Sequence, residues 1–96
     1  MLFRSGVPVE LAFLDLMEPD LKQATESLVA AGHQRISIVP VFLAQGSHLK
    51  RDLPVLVESL RQRHPRCAFN VTPTLGEQPE IIAALADSVA RLFKAP

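Results

Sequence analysis

The chain has 96 residues, of which 48% are hydrophobic, and its ten basic side chains balance ten acidic ones. This length suits a single small domain that buries about two-thirds of its unfolded surface. The hydrophobic content argues against a disordered chain, and the balanced charge argues against a general affinity for nucleic acid or membranes. We therefore expect one domain over residues 1–96, with no nucleic-acid partner and no membrane partner.

The cysteine content and the apolar runs indicate where the protein works. Cys67 is the single cysteine, so an internal disulfide is excluded, and no cysteine and histidine cluster has the spacing of a structural zinc site. No apolar run approaches the roughly 20 residues that span a bilayer, and residues 1–4 do not begin a signal peptide. We expect a cytoplasmic protein.

The first predicted unit is a strand followed by a helix. Residues 7–14 form a short, mostly apolar run, which favours a buried strand. Pro19 has acidic neighbours on both sides, a pattern typical of a helix N-terminus. Apolar residues then recur at helical spacing until Gly32, which predicts the end of the helix.

The second predicted unit has the clearest strand. Residues 36–43 are rich in β-branched side chains and almost continuously apolar, as in strands that are covered on both faces. Pro40 cannot donate to a ladder, so it should lie at the C-terminal end of the strand or beside a gap in the pairing. Asp52 as N-cap and Pro54 in the first turn predict the next helix, which should end at residues 64–65. Its predicted apolar stripe is Leu53, Leu56, Val57 and Leu60.

The third predicted unit has the same plan. Residues 68–72 predict a strand, residues 73–78 a loop, and Pro79 the start of a helix. The apolar positions on one side of that helix are Ile82, Leu85, Val89 and Phe93. Three strand–loop–helix units imply an α/β fold with a parallel sheet and right-handed crossovers.

Polar side chains collect in the loops that follow the predicted strands. In a parallel sheet the ligand lies beyond the carboxyl ends of the strands, so the loops 15–18, 44–50 and 73–78 should converge. Their polar residues are Asp15, Glu18, Gln45, Ser47, His48, Lys50, Thr74 and Glu77. His48 is the neutral nitrogen base of this set, and imidazole suits both general-base catalysis and a divalent transition metal.

Each of these side chains also has a purely structural interpretation. A single loop histidine is more often solvated than a ligand, and Lys50 and Arg51 fit a solvated pair before a helix. Glu18 suits the dipole of the helix that follows as well as it suits a ligand contact. For His33 and His64, which lie near predicted helix ends, we favour the structural interpretation.

Other chemistries lack their motifs. The loops 45–47 and 75–77 hold one glycine each, which argues against the Gly-rich loops of dinucleotide and P-loop sites. Ser47 lacks the two flanking glycines of a nucleophile elbow. Cys67 precedes a predicted strand instead of ending one, so it is a poor nucleophile candidate.

Three segments carry a resemblance to a known family. They are VELAFLDLMEP (residues 9–19), IVPVFL (38–43) and GSHLKRDLP (46–54), and the match continues to TPTLG (72–76). Together they resemble the small sirohydrochlorin cobaltochelatases, which are class II chelatases. The resemblance implies a three-layer α/β/α chelatase-like fold and a lyase that inserts Co²⁺ into sirohydrochlorin, a carboxylate-rich tetrapyrrole, during cobalamin biosynthesis. Relatives insert Fe²⁺ or Ni²⁺ into similar rings, and no organic cofactor is implied.

The resemblance also implies the site residues. His48 would be the catalytic residue and the metal ligand, and Glu18 would contact the tetrapyrrole. The ring would be lined by Leu43, Ala44, Gln45, Gly46, Ser47 and His48. Metalation removes two pyrrole protons while the metal loses water, so a histidine beside the ring can present the ion and accept protons.

The chain departs from this family at its N-terminus. Family members begin with an additional strand that ends in a His-Gly-Ser motif and continues into a helix, and residues 1–6 resemble only the tail of that helix. We therefore expect an N-terminally truncated, impaired chelatase, or a homodimer in which a second copy supplies partners for the exposed strands. The alternatives are a non-catalytic metal-binding or assembly module, and an α/β interaction domain unrelated to tetrapyrroles.

Overall fold

The computed structural model describes residues 6–14, 17–44 and 46–94, with the backbone alone at His48. Its elements in chain order are α1 (Leu21–Ala30), β1 (Arg35–Ile38), α2 (Ser47–Arg63), β2 (Ala68–Val71), a 3₁₀ turn (Leu75–Glu77) and α3 (Pro79–Leu92). β1 and β2 form a two-stranded sheet. The Ala68 amide donates to Gln34 O and the Thr72 amide to Ile38 O, so the pairing advances in the same direction along both strands. The fold is α/β with a parallel strand pair.

The chain divides into two compact units. The first unit comprises Met1–Ile36 and Leu56–Phe69, and the second comprises Ser37–Val55 and Asn70–Pro96. The core of the first unit draws on both of its helical segments and both of its strand segments. Its buried residues are Ala24, Thr25, Ile36, Val57, Leu60 and Phe69. In the second unit Pro40, Leu53 and Thr74 are buried.

Helix α1 has well-defined ends. The Gln23 amide donates to the Asp20 carboxylate and the Asp20 amide donates to the Gln23 side-chain oxygen, both at 2.8 Å, which forms a capping box. Gly32 has a φ of 95° and its amide donates to Val29 O, as in the left-handed helix terminus that glycine favours. The predicted end at Gly32 is confirmed, while the helix begins after Asp20 and leaves Pro19 outside it.

The predicted strand over residues 7–14 is wrong. This segment holds isolated bridge positions and no strand in the structure. The Phe13 amide donates to Pro19 O at 2.9 Å, and Phe13 and Asp20 form an isolated parallel bridge. An apolar run becomes a strand only where a neighbouring strand takes its hydrogen bonds, and no described strand pairs along this segment.

β1 is shorter than the predicted strand over residues 36–43. The strand ends at Ile38, two residues before Pro40. Pro40 was expected at the C-terminal end of the strand or beside a gap in the pairing, and it lies two residues beyond the end of β1. Proline has no amide donor for the ladder, which agrees with a strand that ends before it.

Helix α2 begins earlier than its predicted cap. It starts at Ser47, the Lys50 amide already donates to Gly46 O at 3.0 Å, and Asp52 and Pro54 lie inside the helix. The predicted N-cap at Asp52 is therefore wrong. Pro54 has the φ of a helix and loses one backbone bond there, and burial of Leu53 and Val57 nearby offsets this loss. Leu53, Val57 and Leu60 of the predicted stripe are buried, and Leu56 is exposed.

The third predicted unit is confirmed as a strand, a loop and a helix in that order. β2 ends at Val71, and α3 begins at Pro79 as predicted, because proline fits the first helical turn. Its predicted apolar positions, Ile82, Leu85, Val89 and Phe93, are exposed in the structure. None of the described helices is long and apolar enough to cross a membrane.

Candidate functional site

The loop between β1 and α2 is attached to the 3₁₀ turn that follows β2. The Leu75 amide donates to Pro40 O at 2.9 Å, and the Gly76 amide donates to Phe42 O at 2.8 Å. Both bonds lie within the second unit. The backbone of residues 40–42 therefore has fixed partners although it lies beyond the end of the strand.

Apolar side chains on this loop point to solvent. Val41 is 70% exposed and Leu43 is 73% exposed. Val39 and Phe42 are also exposed. Adjacent exposed apolar side chains on a loop with a fixed backbone form a surface suited to a flat apolar ligand.

His48 lies at the start of α2. It is the second residue of the helix, and not part of the preceding loop as predicted. The difference follows from the earlier start of α2 at Ser47. Its side chain is outside the described part of the structure, so its roles as base and metal ligand stay predictions.

Two of the three predicted loops belong to the same unit of the structure. Residues 44–50 and 73–78 both belong to the second unit, and the bonds from Leu75 and Gly76 reach Pro40 and Phe42, just before residues 44–50. Thr74 is buried at the start of the turn, and Glu77 and Lys50 are exposed. Asp15 and Gln45 lie outside the described residues, and Glu18 belongs to the first unit.

Glu18 is exposed in the first unit, close to the cap of α1. Its Oε1 accepts a long hydrogen bond, 3.5 Å, from Nε2 of Gln23. Gln23 is also the reciprocal partner in the capping box with Asp20. A bond of this length is weak, so the carboxylate remains accessible to a ligand, and its position beside the helix start also fits the dipole interpretation.

The other histidines and the cysteine belong to the first unit. His33 and His64 follow the ends of α1 and α2, as the structural interpretation expects. Nε2 of His64 is buried without a hydrogen-bond partner, and the free Cys67 thiol donates to His33 O at 3.7 Å. Within the described ranges, no three His, Cys, Asp or Glu side chains form a group that would hold a metal ion.

Sequence reasoning missed a cavity in the first unit. It has a volume of about 550 Å³ and lies between the start of α1 and the second half of α2. Its lining residues are Phe13, Leu14, Asp20, Leu21, Lys22, Leu56, Ser59, Leu60, Gln62 and Arg63. The sequence predicts Leu56 as part of a buried stripe, and only the structure shows that it is exposed and lines this cavity.

Known proteins share both the sequence pattern and the fold. The model of the CbiX family matches residues 3–92. The chain belongs to the CbiX family. The sirohydrochlorin ferrochelatase of Bacillus subtilis is 31% identical over 81 residues, which is 83% of this chain and 31% of that protein. The sirohydrochlorin cobaltochelatase of Methanococcus aeolicus is 43% identical over 49 residues, which is 51% of this chain and 34% of that protein.

Two solved structures agree with this assignment. A cobalamin (vitamin B12) biosynthesis CbiX protein from Marinobacter aquaeolei VT8 superposes with a TM-score of 0.77 at 30% identity, covering 84% of this chain and 65% of that one. SirB from Bacillus subtilis with Fe³⁺ has a TM-score of 0.77 at 28% identity, covering 93% of this chain and 36% of that one. The fold is therefore chelatase-like, and the family consists of small class II chelatases. The chain spans about a third of the length of the curated relatives it matches.

Proposed function

We propose that this chain takes part in inserting Co²⁺ into sirohydrochlorin. The observation that carries the proposal is the CbiX match over residues 3–92, together with relatives that are sirohydrochlorin chelatases. Both cobalt and iron enzymes occur among these relatives. The match to a cobaltochelatase and to a CbiX protein of cobalamin biosynthesis supports cobalt as the metal, with Fe²⁺ or Ni²⁺ as the competing ions.

The proposed chemistry is an exchange of ligands and protons. The ion loses water and binds four pyrrole nitrogens, and two pyrrole N–H groups each lose a proton. We assign to His48 the presentation of the ion and the acceptance of a proton, since neutral imidazole can do both. The segment from Leu43 to His48, namely Leu43, Ala44, Gln45, Gly46, Ser47 and His48, would line the ring. Glu18 would contact the ring by its exposed carboxylate.

The fixed backbone of residues 40–42 supports this assignment of the ring surface. Exposed Val41 and Leu43 offer apolar contact to a macrocycle face, and the bonds to Leu75 and Gly76 limit the ordering entropy lost on binding. We further propose a single three-layer α/β/α domain in the cytoplasm, where a reducing environment keeps Cys67 as a thiol.

We expect the isolated chain to insert the metal, but slowly compared with relatives of full length, because His48 is the one ligand it is proposed to supply. Mixing the chain with Co²⁺ and sirohydrochlorin and following the absorbance change of metalation tests this. A matched sample without protein gives the uncatalysed rate. A rate equal to that background, with no tetrapyrrole-induced spectral shift or thermal stabilisation, would contradict the proposed function and favour an interaction domain.

We also propose that two copies of the chain pair as a homodimer. The apolar side chains exposed on residues 7–14 and on α3, among them Val7, Leu11, Ile82 and Val89, support association. Light scattering at micromolar concentration is expected to give the mass of two chains. A monodisperse species with the 10.5 kDa mass of one chain would contradict the pairing.

A further inference from the structure

We propose that Gly76 is a positioning residue for the ring-lining loop, a role that rests on the proposed function. The hydrogen bonds from β2 and its turn continue along the loop after β1 has ended. The carbonyls of Ile38, Pro40 and Phe42 accept in succession, from the amides of Thr72, Leu75 and Gly76. Every second carbonyl of residues 38–42 is therefore fixed by the segment that contains Gly76.

The turn and the loop approach too closely for any side chain at position 76. A Cβ placed on Gly76 would collide with the Leu43 backbone at its Cα and carbonyl oxygen, and it would lie 2.5 Å from Phe42 O. These are backbone atoms, which cannot swing aside as the end of a flexible side chain can. Substitution at Gly76 must therefore displace the loop, the turn or both.

The other glycines do not share this constraint. For Gly6, Gly32 and Gly46, an added Cβ meets no described atom within 4 Å. Gly46 is the informative comparison, because it lies in the same connection between β1 and α2. The close contact thus singles out Gly76 as the glycine that sets how near the turn comes to the loop.

The turn itself has little freedom to yield. Thr74 is 3% exposed, Pro40 is buried, and the Glu77 amide donates to Thr74 O at 3.0 Å. Displacement is therefore expected on the side of the exposed loop. Leu43, the residue that Gly76 contacts, is also the first of the proposed ring-lining residues, so the packing of Gly76 determines where that lining begins.

The test is Gly76→Ala in the full chain, assayed by absorbance titration with sirohydrochlorin and by hydrogen exchange. We expect ring binding to weaken about tenfold or more, the order that overpacking against an unyielding contact produces. The amides at positions 75 and 76 should exchange faster, because their acceptors at Pro40 and Phe42 move away. The Ala24 amide, which donates to Asp20 O in α1, should exchange at its usual rate and shows that the first unit stays folded.

Two further variants keep this test decisive. Thr74→Ser removes one buried methyl group from the same turn without a clash, and it should weaken ring binding in the same direction but by less than Gly76→Ala. Ile36→Val is a mild change in the core of the first unit, and it should leave ring affinity and the exchange of amides 75 and 76 unchanged.

The outcomes separate this proposal from the proposed function. If the unaltered chain binds sirohydrochlorin and Gly76→Ala binds it equally well, the positioning role is overturned while the proposed function stands. Equal weakening by Ile36→Val would also overturn it, since the effect would then reflect general stability. If the unaltered chain does not bind the ring, the proposed function fails and this role fails with it.

Discussion

His48→Ala is expected to slow cobalt insertion into sirohydrochlorin by about a hundredfold or more. A side chain that transfers protons in the transition state contributes roughly 10²–10⁴ in rate, and His48 is proposed to present the metal as well. The effect is measured as the initial rate of the absorbance change at a saturating concentration of sirohydrochlorin. His48 lies in the first turn of α2, where alanine suits the helical backbone. We therefore expect His48→Ala to fold, and the thermal midpoints of the two proteins check this.

His33→Ala is the matched control for this prediction. His33 is half-buried after α1, in the first unit, and takes no part in the proposed site. We expect it to retain the metalation rate of the unaltered chain. Equal losses in both variants would assign the effect to stability, and an unchanged rate in His48→Ala would remove His48 from the site.

Ring binding distinguishes a chemical role of His48 from a packing role. If His48 acts as base and metal ligand, His48→Ala should keep most of its affinity for metal-free sirohydrochlorin while the turnover rate falls. A loss of affinity with unchanged turnover would instead place His48 among the residues that only contact the ring. If the chain is a non-catalytic assembly module, His48→Ala should change neither the ring affinity nor the turnover rate.

Features set by local chemistry could be predicted from the sequence. Pro79 at the first turn of α3, Gly32 at the end of α1 and Pro40 beyond the end of β1 each follow from the dihedral or hydrogen-bonding limits of one residue. The end of α2 before residues 64–65 belongs to the same class. In each case the residue's own backbone determines the result.

Features that depend on distant partners could not be predicted in this way. Residues 7–14 have a strand-like composition, yet strand formation requires a neighbour that the segment's own composition does not specify. The start of α2 was misplaced because Asp52 and Pro54 resemble a cap, whereas burial of Leu53, Val57 and Leu60 stabilises a helix that extends past them.

The candidate site also has a part that local sequence predicts and a part that depends on distant residues. The ring-lining segment around His48 could be predicted from its motif and from its place after a strand. The contact between Gly76 and the Leu43 backbone could not, because it joins positions far apart in the chain through the packing of a turn on a loop. Sequence reasoning identified the chemical groups, and the structure identifies the backbone that supports them.

Leu60→Ala is expected to lower the free energy of unfolding by about 2–4 kcal/mol. Leu60 is 2% exposed in the core of the first unit, and truncating a buried leucine loses its transfer free energy and leaves a cavity. A domain of this size has a total stability of only about 5–15 kcal/mol, so the loss is a large fraction of it. Urea denaturation followed by far-ultraviolet circular dichroism measures the change.

Leu56→Ala is the matched control, since it makes the same substitution one helical turn earlier in α2. Leu56 is 39% exposed beside the cavity of the first unit. Its truncation therefore loses less buried apolar surface than that of Leu60 and leaves no enclosed void. We expect a loss of about 1 kcal/mol or less, because the cost of a truncation scales with the area withdrawn from water. Equal losses of unfolding free energy at positions 56 and 60 would contradict the placement of Leu60 in the core.

Below the urea transition, both variants should bind sirohydrochlorin with the affinity of the unaltered chain, because neither residue belongs to the ring-lining loop. Weakened binding by folded Leu60→Ala would mean that the core of the first unit contributes to the site.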